Sequence, residues 1–361
     1  MKTMSNMFGI KSKSIIDALC WDDYDLASRP ANVFSCTEII DAPKYQVLKR
    51  RYMQDVTTDV SDNFHLLDGS AVHYAVEMSN KAKSRERLSE ERIFIRLPAE
   101  TKKAWTAHTL AQDGEIIDQA WYSASDMYVS VKFDAYEHDE ATIEDYKRCS
   151  VWEVIFGLKD SRVQQLNIGA LGLKFLGFPV NLLRACLLLK DWSNTALKQA
   201  EQKEASMGIT SKYPKIPYAE FEMTPWTEED AKAYIRERVA LHSFAHMAGD
   251  DDIPLCTADE RWYKEGAYAV YKNDNKRADK LFNAGEDVTE AQAEIAAHQY
   301  ADQMTEESAS AKKKATYRVE YRPGVDTRCA GDKAYCACRQ YCSYWKERYM
   351  NAADSVEQEG Y

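Results

Sequence analysis

The sequence predicts an α/β fold in which a sheet is flanked by helices. Residues 128–147 contain two segments in which apolar and polar side chains alternate, the period of a half-buried strand. Residues 180–189 form a nearly continuous apolar run, which is typical of a strand covered on both faces. Residues 162–176, between these strands, place apolar side chains at helical spacing. Strands and helices in this order indicate a layered α/β protein.

Length and composition set the outer limits of the fold and of the function. At 361 residues and 41.3 kDa, the chain can bury one large core or two modest ones. The net charge of -11 argues against a protein that coats nucleic acid by bulk charge, but not against an enzyme with a local basic groove. No apolar run approaches the ~20 residues that span a bilayer, and the amino terminus lacks a signal-like segment. We therefore expect a cytoplasmic protein with no membrane partner.

The first part of the chain carries a basic helical segment. Residues 1–33 are polar and are expected to be peripheral, whereas residues 34–51 have a Ser/Thr start, a proline and apolar positions that predict a helical pair. The basic side chains of this segment are Lys44, Lys49, Arg50 and Arg51. They form either a solvated face or a phosphate-contacting face, and a short basic run alone does not decide between the two.

A histidine-bearing helix and a strand are predicted next. Residues 66–78 carry an apolar stripe, and His73 and Glu77 share a face of this helix because they are four residues apart. His73 is either a metal ligand or an ordinary helical histidine, and Glu77 is a weaker candidate for a metal or water contact. Residues 92–97 predict the first strand of the sheet, and residues 98–126 predict a hairpin insertion.

The two alternating strands each end in an acid. Asp145 and Lys147 share one face of the second strand about 7 Å apart, and a turn at residues 137–140 would bring Asp134 beside Asp145. Two adjacent carboxylates repel each other, and a divalent cation removes that repulsion. Carboxylate oxygens suit Mg²⁺ or Mn²⁺, and Lys147 could stabilise a hydroxide or the charge on a phosphate. Two solvated hairpin strands are the alternative interpretation.

The remaining elements follow at regular intervals. The helix at residues 162–176 carries Gln165 beside its apolar stripe, and an edge strand is expected after residues 213–214. A helix at residues 227–247 begins with a capping threonine and carries His242 and His246, which we interpret as a surface pair rather than a zinc site. A hairpin turn at residues 273–274, an acidic helix at 288–304 and a flexible connection at 305–316 precede a cysteine-rich end.

Four motifs in one order resemble a known nuclease superfamily. An acid followed about ten residues later by acid-x-Lys resembles the PD-(D/E)xK nucleases. Gly69-x-x-x-His73, the downstream Gln165, and the opening helix with its proline and basic continuation at residues 34–51 resemble the corresponding motifs of RecB-like members. The resemblance implies a restriction-endonuclease-like αβββαβ core, a mixed sheet flanked by helices, with helical and cysteine-rich carboxy-terminal additions. The implied domains are a peripheral segment at 1–33, a nuclease domain at 34–250 and a packed carboxy-terminal segment at 251–361.

The same resemblance implies roles for individual residues. It implies that Mg²⁺ or Mn²⁺ is bound by His73, Asp134, Asp145 and the backbone carbonyl of Tyr146. Lys147 would position the attacking water or stabilise the transition state, and Gln165 would support the site. The family often has tyrosine four residues after this glutamine, where this chain has Gly169. Arg50 and Arg51 would hold substrate phosphate.

The carboxy-terminal cysteines resemble a second family feature. Nine cysteines in a cytoplasmic chain are expected to be thiols or metal ligands rather than disulfides. Cys256, Cys329, Cys336 and Cys342 resemble the one-plus-three arrangement of iron–sulfur nucleases, although their spacing is wider and Cys338 could replace one of them. Four thiolates hold Zn²⁺ or a [4Fe-4S] cluster equally well by count, and unliganded thiols are the alternative.

These resemblances imply a metal-dependent DNA exonuclease. The words Cys-x-x-x-Glu-Arg-Trp, Arg-Pro-Gly and Arg-Cys near the end are similar to those of phage-encoded RecB-like exonucleases. This likeness implies a role in phage DNA replication or recombination, or in host DNA degradation, in the cytoplasm of a host bacterium. DNA and phage recombination or replication proteins are the implied partners. A catalytically weak DNA-binding subunit of a recombination or helicase complex, and a structure-specific endonuclease, are the alternatives.

Overall fold

A computed structural model describes residues 3–20, 29–83, 87–110, 115–208, 210–285, 287–309, 314–331 and 334–350. The chain divides into two compact units, Met1–Ile253 and Pro254–Tyr361. Residues 3–20, within the segment expected to be peripheral, belong to the first unit, and residues 21–28 lie outside the described residues. None of the helices in the described ranges combines the length and the apolar character that crossing a membrane requires.

The first unit contains both helices and strands, with short 3-10 turns at Val60–Asn63 and Ile116–Asp118. Its helices are α1 (Lys13–Cys20), α2 (Cys36–Ile39), α3 (Pro43–Arg51), α4 (Phe64–Lys83), α5 (Trp152–Phe156), α6 (Asp160–Phe175), α7 (Asn194–Met207) and α8 (Glu228–Met247). Its strands are β1 (Thr3–Ser5), β2 (Val33–Ser35), β3 (Thr57–Asp59), β4 (Arg87–Ser89), β5 (Arg92–Leu97), β6 (Thr106–Thr109), β7 (Met127–Lys132), β8 (Ala135–Glu137), β9 (Thr142–Cys149), β10 (Leu182–Leu189) and β11 (Tyr218–Met223). The α/β class predicted from the sequence is confirmed at this level.

Two mixed sheets form the centre of this unit. One has the strand order β11-β10-β9-β8-β4, in which β10 runs parallel to β9 and the other neighbours are antiparallel. The other has the order β2-β7-β5-β6, in which β2 runs parallel to β7. Strand β10, which is parallel to β9, contains most of the apolar run at residues 180–189 that predicted a strand covered on both faces. Most of its side chains are buried.

The two sheets meet at a pair of interrupted strands. Strand β4 leads into β5 through Glu90 and Glu91, and β7 leads into β8 through Phe133 and Asp134. Backbone hydrogen bonds continue across the gap, from Glu90 N–H to the Asp134 carbonyl (3.2 Å) and from Phe133 N–H to the Glu91 carbonyl (3.4 Å). Glu90 has a left-handed φ of 58°, so the ladder bends as it does at a β-bulge. At this bend the side chains of Glu90 and Asp134 lie at the same level, and both face His73.

Helix α6 packs closely on the sheets and fixes their position. Its buried stretch joins the main apolar core, which includes residues of β5, β7, β9 and β10. A Cβ atom at Gly169 would lie 2.8 Å from Ile143 Cδ1, and one at Gly172 would lie 3.0 Å from Ile93 Cγ2. The backbone of α6 thus lies closer to the strands than it could if Gly169 and Gly172 carried side chains. A tyrosine, which the resemblance places at the position of Gly169, would not fit here.

Helix α8 covers α2, and this contact corrects one sequence prediction. Thr227 caps α8 and Ser35 forms a capping box with Glu38 on α2, as their side chains predict. His242 is fully buried, with Nε2 3.2 Å from the Asp41 carbonyl oxygen, and Nε2 of His246 lies 3.2 Å from Glu38 Oε1. The prediction of a surface histidine pair is therefore wrong. The two rings belong to the contact between the helices, because the face that carries them is turned inward.

The second unit is built around a three-stranded antiparallel sheet of order β14-β13-β15. Its elements are β12 (Tyr263–Lys264), β13 (Ala267–Lys272), β14 (Lys280–Asn283), α9 (Glu290–Ala309), β15 (Tyr317–Arg322), β16 (Val325–Asp326) and α10 (Ser343–Trp345), with a 3-10 turn at Arg339–Tyr341 and a π-helix at Lys346–Met350. Helix α9 packs on one face of this sheet through alanines and tyrosines. The hairpin turn predicted at residues 273–274 joins β13 to β14. The acidic helix extends to Ala309, so the connection expected at 305–316 is shorter than the sequence suggested.

Candidate metal centre

The β8–β9 hairpin brings Asp134 and Asp145 together. Ala135 pairs with Glu144 across the hairpin, so the residues that precede and follow this pair lie where the two strands separate. Beyond this point the Asp134 side chain takes the place of the missing strand, because its Oδ2 accepts a hydrogen bond from the Tyr146 N–H at 2.6 Å. The expected turn and the expected neighbourhood of the two acids are therefore both present in the structure.

Lys147 lies between the two carboxylates. Its Nζ is 2.5 Å from Asp145 Oδ1 and 3.7 Å from Asp134 Oδ2. Asp145 is 3% exposed and Asp134 is 7% exposed, so these charges are largely removed from water. Oδ2 of Asp145 is buried and finds no hydrogen-bond donor among the described residues. A buried carboxylate oxygen without a donor is costly unless a cation or another group satisfies it.

His73 reaches the same place from α4. Its Nδ1 lies 3.3 Å from Asp134 Oδ1 and 3.6 Å from Glu90 Oε1. One ligand atom from each of these three residues falls within 4.8 Å of the other two. The other helix candidate, Glu77, forms an ion pair with Lys81 on the same helix. The histidine of the helix, rather than its glutamate, thus joins the acidic group in this structure.

Glu90 is the site residue that sequence reasoning missed. It sits at the bend between β4 and β5, where its carboxylate faces His73 and forms an ion pair with Lys132. The sequence signal was a pair of acids directly before a predicted strand, which is too common a feature to single out. Only the pairing of β4 with β8 places this acid beside Asp134, because the two segments are far apart in the chain.

The charged groups of the site shift one another's pKa values, and burial adds to or opposes each shift. Hydrogen bonding to Asp134 and Glu90 raises the pKa of His73 to about 9, although burial opposes that shift. Burial favours neutral Asp134, but His73 and Lys147 outweigh it and hold the pKa of this carboxyl below its usual value. Burial raises the pKa of Asp145, and the charge of Lys147 only partly opposes this. The Lys147 pKa is raised because the two carboxylates outweigh its burial.

The donor set fits a hard divalent cation. Carboxylate oxygens and one imidazole nitrogen are ligands that Mg²⁺ and Mn²⁺ accept, and the group of His73, Glu90 and Asp134 includes no cysteine of the described residues. Asp145 is not one of the three residues whose ligand atoms lie within 4.8 Å of one another; it is joined to Asp134 through Lys147, and its role as a metal ligand stays a prediction. Because its pKa is about 9, His73 is protonated at neutral pH, and its positive charge offsets part of the negative charge of the carboxylates. Metal binding to the ring would displace that proton.

Two other predicted members of the site lie nearby but differ in their contacts. Tyr146 meets Asp134 through its backbone N–H, and its hydroxyl donates to Glu144 Oε2 at 2.7 Å. A role for its backbone carbonyl as a metal ligand stays a prediction. Gln165 is half-buried on α6, and within the described ranges no hydrogen bond links it to the two carboxylates. Arg162, one turn earlier on the same helix, acts through its charge on Asp145 and was not anticipated.

The predicted phosphate-binding arginines occupy the α3 surface. Arg50 Nη2 donates to the Arg29 carbonyl at 3.5 Å and lines a cavity that Lys49 also lines. Arg51 is paired with Asp250 at 2.5 Å and donates to the Ala248 carbonyl, so it closes the end of α8. Another basic residue of this segment, Lys44, is buried and donates to the carbonyls of residues 250 and 253. The basic run is thus only partly a solvated face, and its contact with phosphate stays a prediction.

The cysteines of the second unit lie near one another, and none of them forms a disulfide in the described part of the chain. Cys336 Sγ and Cys338 Sγ are 3.9 Å apart, and Cys256, Cys329 and Cys342 act on one another electrostatically. Burial raises the pKa of Cys256 and of Cys329 to about 12. In the described part of this unit no three sulfurs lie within 4.8 Å of one another, whereas zinc bonds of ~2.3 Å would hold thiolates closer. The identity of a metal at these cysteines stays a prediction.

Comparisons with known proteins add little to this description. No family model and no curated protein matches the chain. A solved structure described as "Crystal structure of SSO0001" aligns with 63% of this chain and 83% of its own, at 12% identity and a TM-score of 0.38. A likeness at this level carries no argument about function. The site therefore has to be interpreted from its own geometry.

Proposed function

We propose that this protein is a metal-dependent DNA nuclease, and more specifically an exonuclease with a RecB-like PD-(D/E)xK core. The order α4, β5, β7–β8, β9, α6 and β10 supports a restriction-endonuclease-like αβββαβ arrangement. The candidate residues lie on the first helix, at the end of the second strand and within the third, and this distribution supports the proposal.

One observation carries the proposal. An imidazole, two buried carboxylates and an ammonium group form a chain of close contacts: His73 lies 3.3 Å from Asp134, and Lys147 lies 3.7 Å from Asp134 and 2.5 Å from Asp145. Asp145 keeps a buried oxygen without a donor, which a purely structural ion-pair cluster has no reason to retain. A site built to bind a cation explains that oxygen, and a solvated hairpin does not.

Each residue has a distinct task in phosphodiester hydrolysis. His73, Asp134, Asp145 and the backbone carbonyl of Tyr146 would bind Mg²⁺ or Mn²⁺. The bound cation supplies charge stabilisation at the phosphate and lowers the pKa of an attacking water. Lys147 holds its ammonium beside both carboxylates, where it can orient that water or stabilise the charge that develops on the phosphate. Arg50 would hold the substrate backbone away from the reacting centre.

The biological setting is part of the same proposal. Phage DNA replication or recombination, or degradation of host DNA, is the role that the resemblance supports, with phage recombination or replication proteins as partners. A [4Fe-4S] cluster or Zn²⁺ at Cys256, Cys329, Cys336 and Cys342 is proposed as a second, structural group. Metal analysis of anaerobically purified protein, with an absorbance spectrum, identifies this group or shows reduced thiols.

The test is digestion of end-labelled linear DNA in Mg²⁺, Mn²⁺ or EDTA. We expect metal-dependent digestion that Asp145→Asn and Lys147→Ala both abolish. Asp139→Asn is the matched control, because Asp139 is an exposed acid in the turn of the same hairpin. Digestion that survives in the two site variants would refute the site.

The substrates in this test separate the alternatives. Closed circular and end-blocked DNA should resist an exonuclease, whereas a structure-specific endonuclease would cut branched or flapped DNA internally. Binding of DNA without digestion in any metal would identify a DNA-binding subunit. Product sizes from the labelled ends also report the direction of digestion.

A further inference from the structure

An exposed aromatic pair follows the strand that carries Asp145. Trp152 and Phe156 are four residues apart on α5, and their rings stack with centroids 5.6 Å apart and an angle of 16° between the planes. Trp152 is 56% exposed and Phe156 is 82% exposed. Two adjacent aromatic rings in water are unfavourable in isolation, so they suggest a surface that binds something.

The helix beneath the rings is firmly held. Its Val154 and Ile155 side chains pack on a buried cluster that includes residues of β9 and β10. Asp191 accepts hydrogen bonds from the Ser150 hydroxyl (2.5 Å) and the Val151 N–H (2.8 Å) just before the helix. The outward face with the two rings is therefore presented by a fixed support rather than by a loose loop.

The pair is connected to the metal centre. Glu153, which lies between the two rings in sequence, accepts a hydrogen bond from Arg162 Nε at 3.3 Å. The same guanidinium acts electrostatically on Asp145 and Lys147. In the chain, Lys147 and Trp152 are separated only by the end of β9 and a short turn. The rings and the carboxylates are thus linked through Arg162 and through the end of β9.

The surroundings of the pair favour a nucleic acid strand. Lys159 is 66% exposed at the start of α6, and Lys190 is exposed at the end of β10, where its N–H bonds to the Cys149 carbonyl. Glu153 is engaged by Arg162 and lies 3.9 Å from Lys159 Nζ, and Asp191 is engaged by the turn before α5. Aromatic rings beside exposed cations are the features with which proteins bind single strands, through base stacking and phosphate contacts.

We propose that Trp152 and Phe156 form a stacking platform for unpaired bases of a single-stranded DNA segment next to the metal centre. This proposal rests on the proposed nuclease function and narrows its substrate. Bases in a duplex are stacked on each other, so their faces are not available to the rings. The platform would engage a strand that is already single or separated near its end.

The test measures binding of a fluorescent single-stranded oligonucleotide and of a matched duplex in EDTA, where no cleavage occurs. Loss of stacking on one to two bases predicts about ten-fold or greater weakening of single-strand binding by Trp152→Ala/Phe156→Ala. Duplex binding should change little, and Trp152→Phe should keep most of the affinity because it keeps a ring. Phe244→Ala removes an exposed aromatic side chain elsewhere, on α8, and is the control.

Tryptophan emission gives an independent signal. Stacking of a base on Trp152 should quench a component of the emission that Trp152→Phe lacks. Unchanged single-strand affinity in the double variant would overturn the platform, as would a wild-type protein that does not bind single strands. Metal-dependent digestion of DNA by that same wild-type protein would leave the nuclease proposal intact. If the double substitution instead converts a dimer to a monomer without altering DNA binding, the rings join two copies of the chain, and the platform is refuted.

Discussion

Lys147→Met separates the electrostatic role of this lysine from its size. The ammonium group stands 2.5 Å from Asp145 and 3.7 Å from Asp134, and both carboxyls are nearly buried. Methionine keeps most of the length and removes the charge. In the metal-free protein, Lys147→Met leaves two buried carboxylates, with His73 beside Asp134 and the charge of Arg162 acting on Asp145, so one carboxylate has to take up a proton or the fold loses stability.

The expected loss in the free energy of unfolding depends on which charged partners each substitution leaves in place. Removing one member of a buried ion pair costs roughly 3–5 kcal/mol, which we assign to Lys147→Met. Asp145→Asn should cost only about 1–2 kcal/mol, because Lys147 keeps Asp134 as its partner. The double variant has no unpaired ammonium and one buried carboxylate fewer, so its loss should be smaller than the sum of the two by about 2 kcal/mol.

Urea unfolding of the full chain in EDTA at neutral pH measures these differences. Lys198→Met, on the exposed side of α7, is the control and should shift the free energy of unfolding by less than about 0.5 kcal/mol. The loss in Lys147→Met should shrink as the pH falls, because the folded carboxyl has a raised pKa and its protonation relieves the repulsion. Added Mg²⁺ should also reduce it. Equal losses for the two single variants, with additivity in the double, would refute this account of Lys147.

Three further predictions concern packing and protonation. Gly169→Ala should destabilise the protein by about 1–2 kcal/mol because its Cβ would lie 2.8 Å from Ile143 Cδ1, and adding Ile143→Val should recover part of this in urea midpoints. The pKa of His73 is raised from 6.5 to about 9 by the carboxylates beside it, so its stabilisation of the metal-free protein is complete below pH 6.5 and is lost as the pH rises through about 9. Unfolding series over that range should show a fall in stability that His73→Gln lacks. Asn167→Ala should cost about 2 kcal/mol by thermal or urea unfolding, because buried Asn167 accepts a hydrogen bond from the Trp226 N–H at 2.7 Å that would be left unpaired.

Local patterns were sufficient to predict the elements and much of the cluster. Alternation in residues 128–147 fixes which side chains share a face, and the hairpin register then follows from the turn. Asp145 and Lys147 were found by their shared face on one strand and Asp134 by its place at the end of the other, whereas His73 was singled out by the resemblance of Gly69-x-x-x-His73 to a family motif. The structure brings these four together, although nothing in their spacing alone gives the distances between the helix and the strands.

Other features depended on contacts between distant segments. Glu90 joins the cluster through the pairing of β4 with β8, and Arg162 does so through the placement of α6. The burial of His242 and Lys44 depends on which side of α8 and α3 faces the core. Helix α8 has a weak contrast between its faces, so its sequence did not reveal which face turns inward.

The bend in the sheet explains why this cluster can exist in a folded protein. Where β8 and β9 separate, the Tyr146 N–H loses a strand partner, and Asp134 replaces that partner while its other oxygen faces His73. The acid is thus held by the backbone and is also available to the site. Asp145 has no such support for its second oxygen, which remains without a donor in the described structure. The proposed cation would give this oxygen a partner, at a carboxylate whose other oxygen already pairs with Lys147.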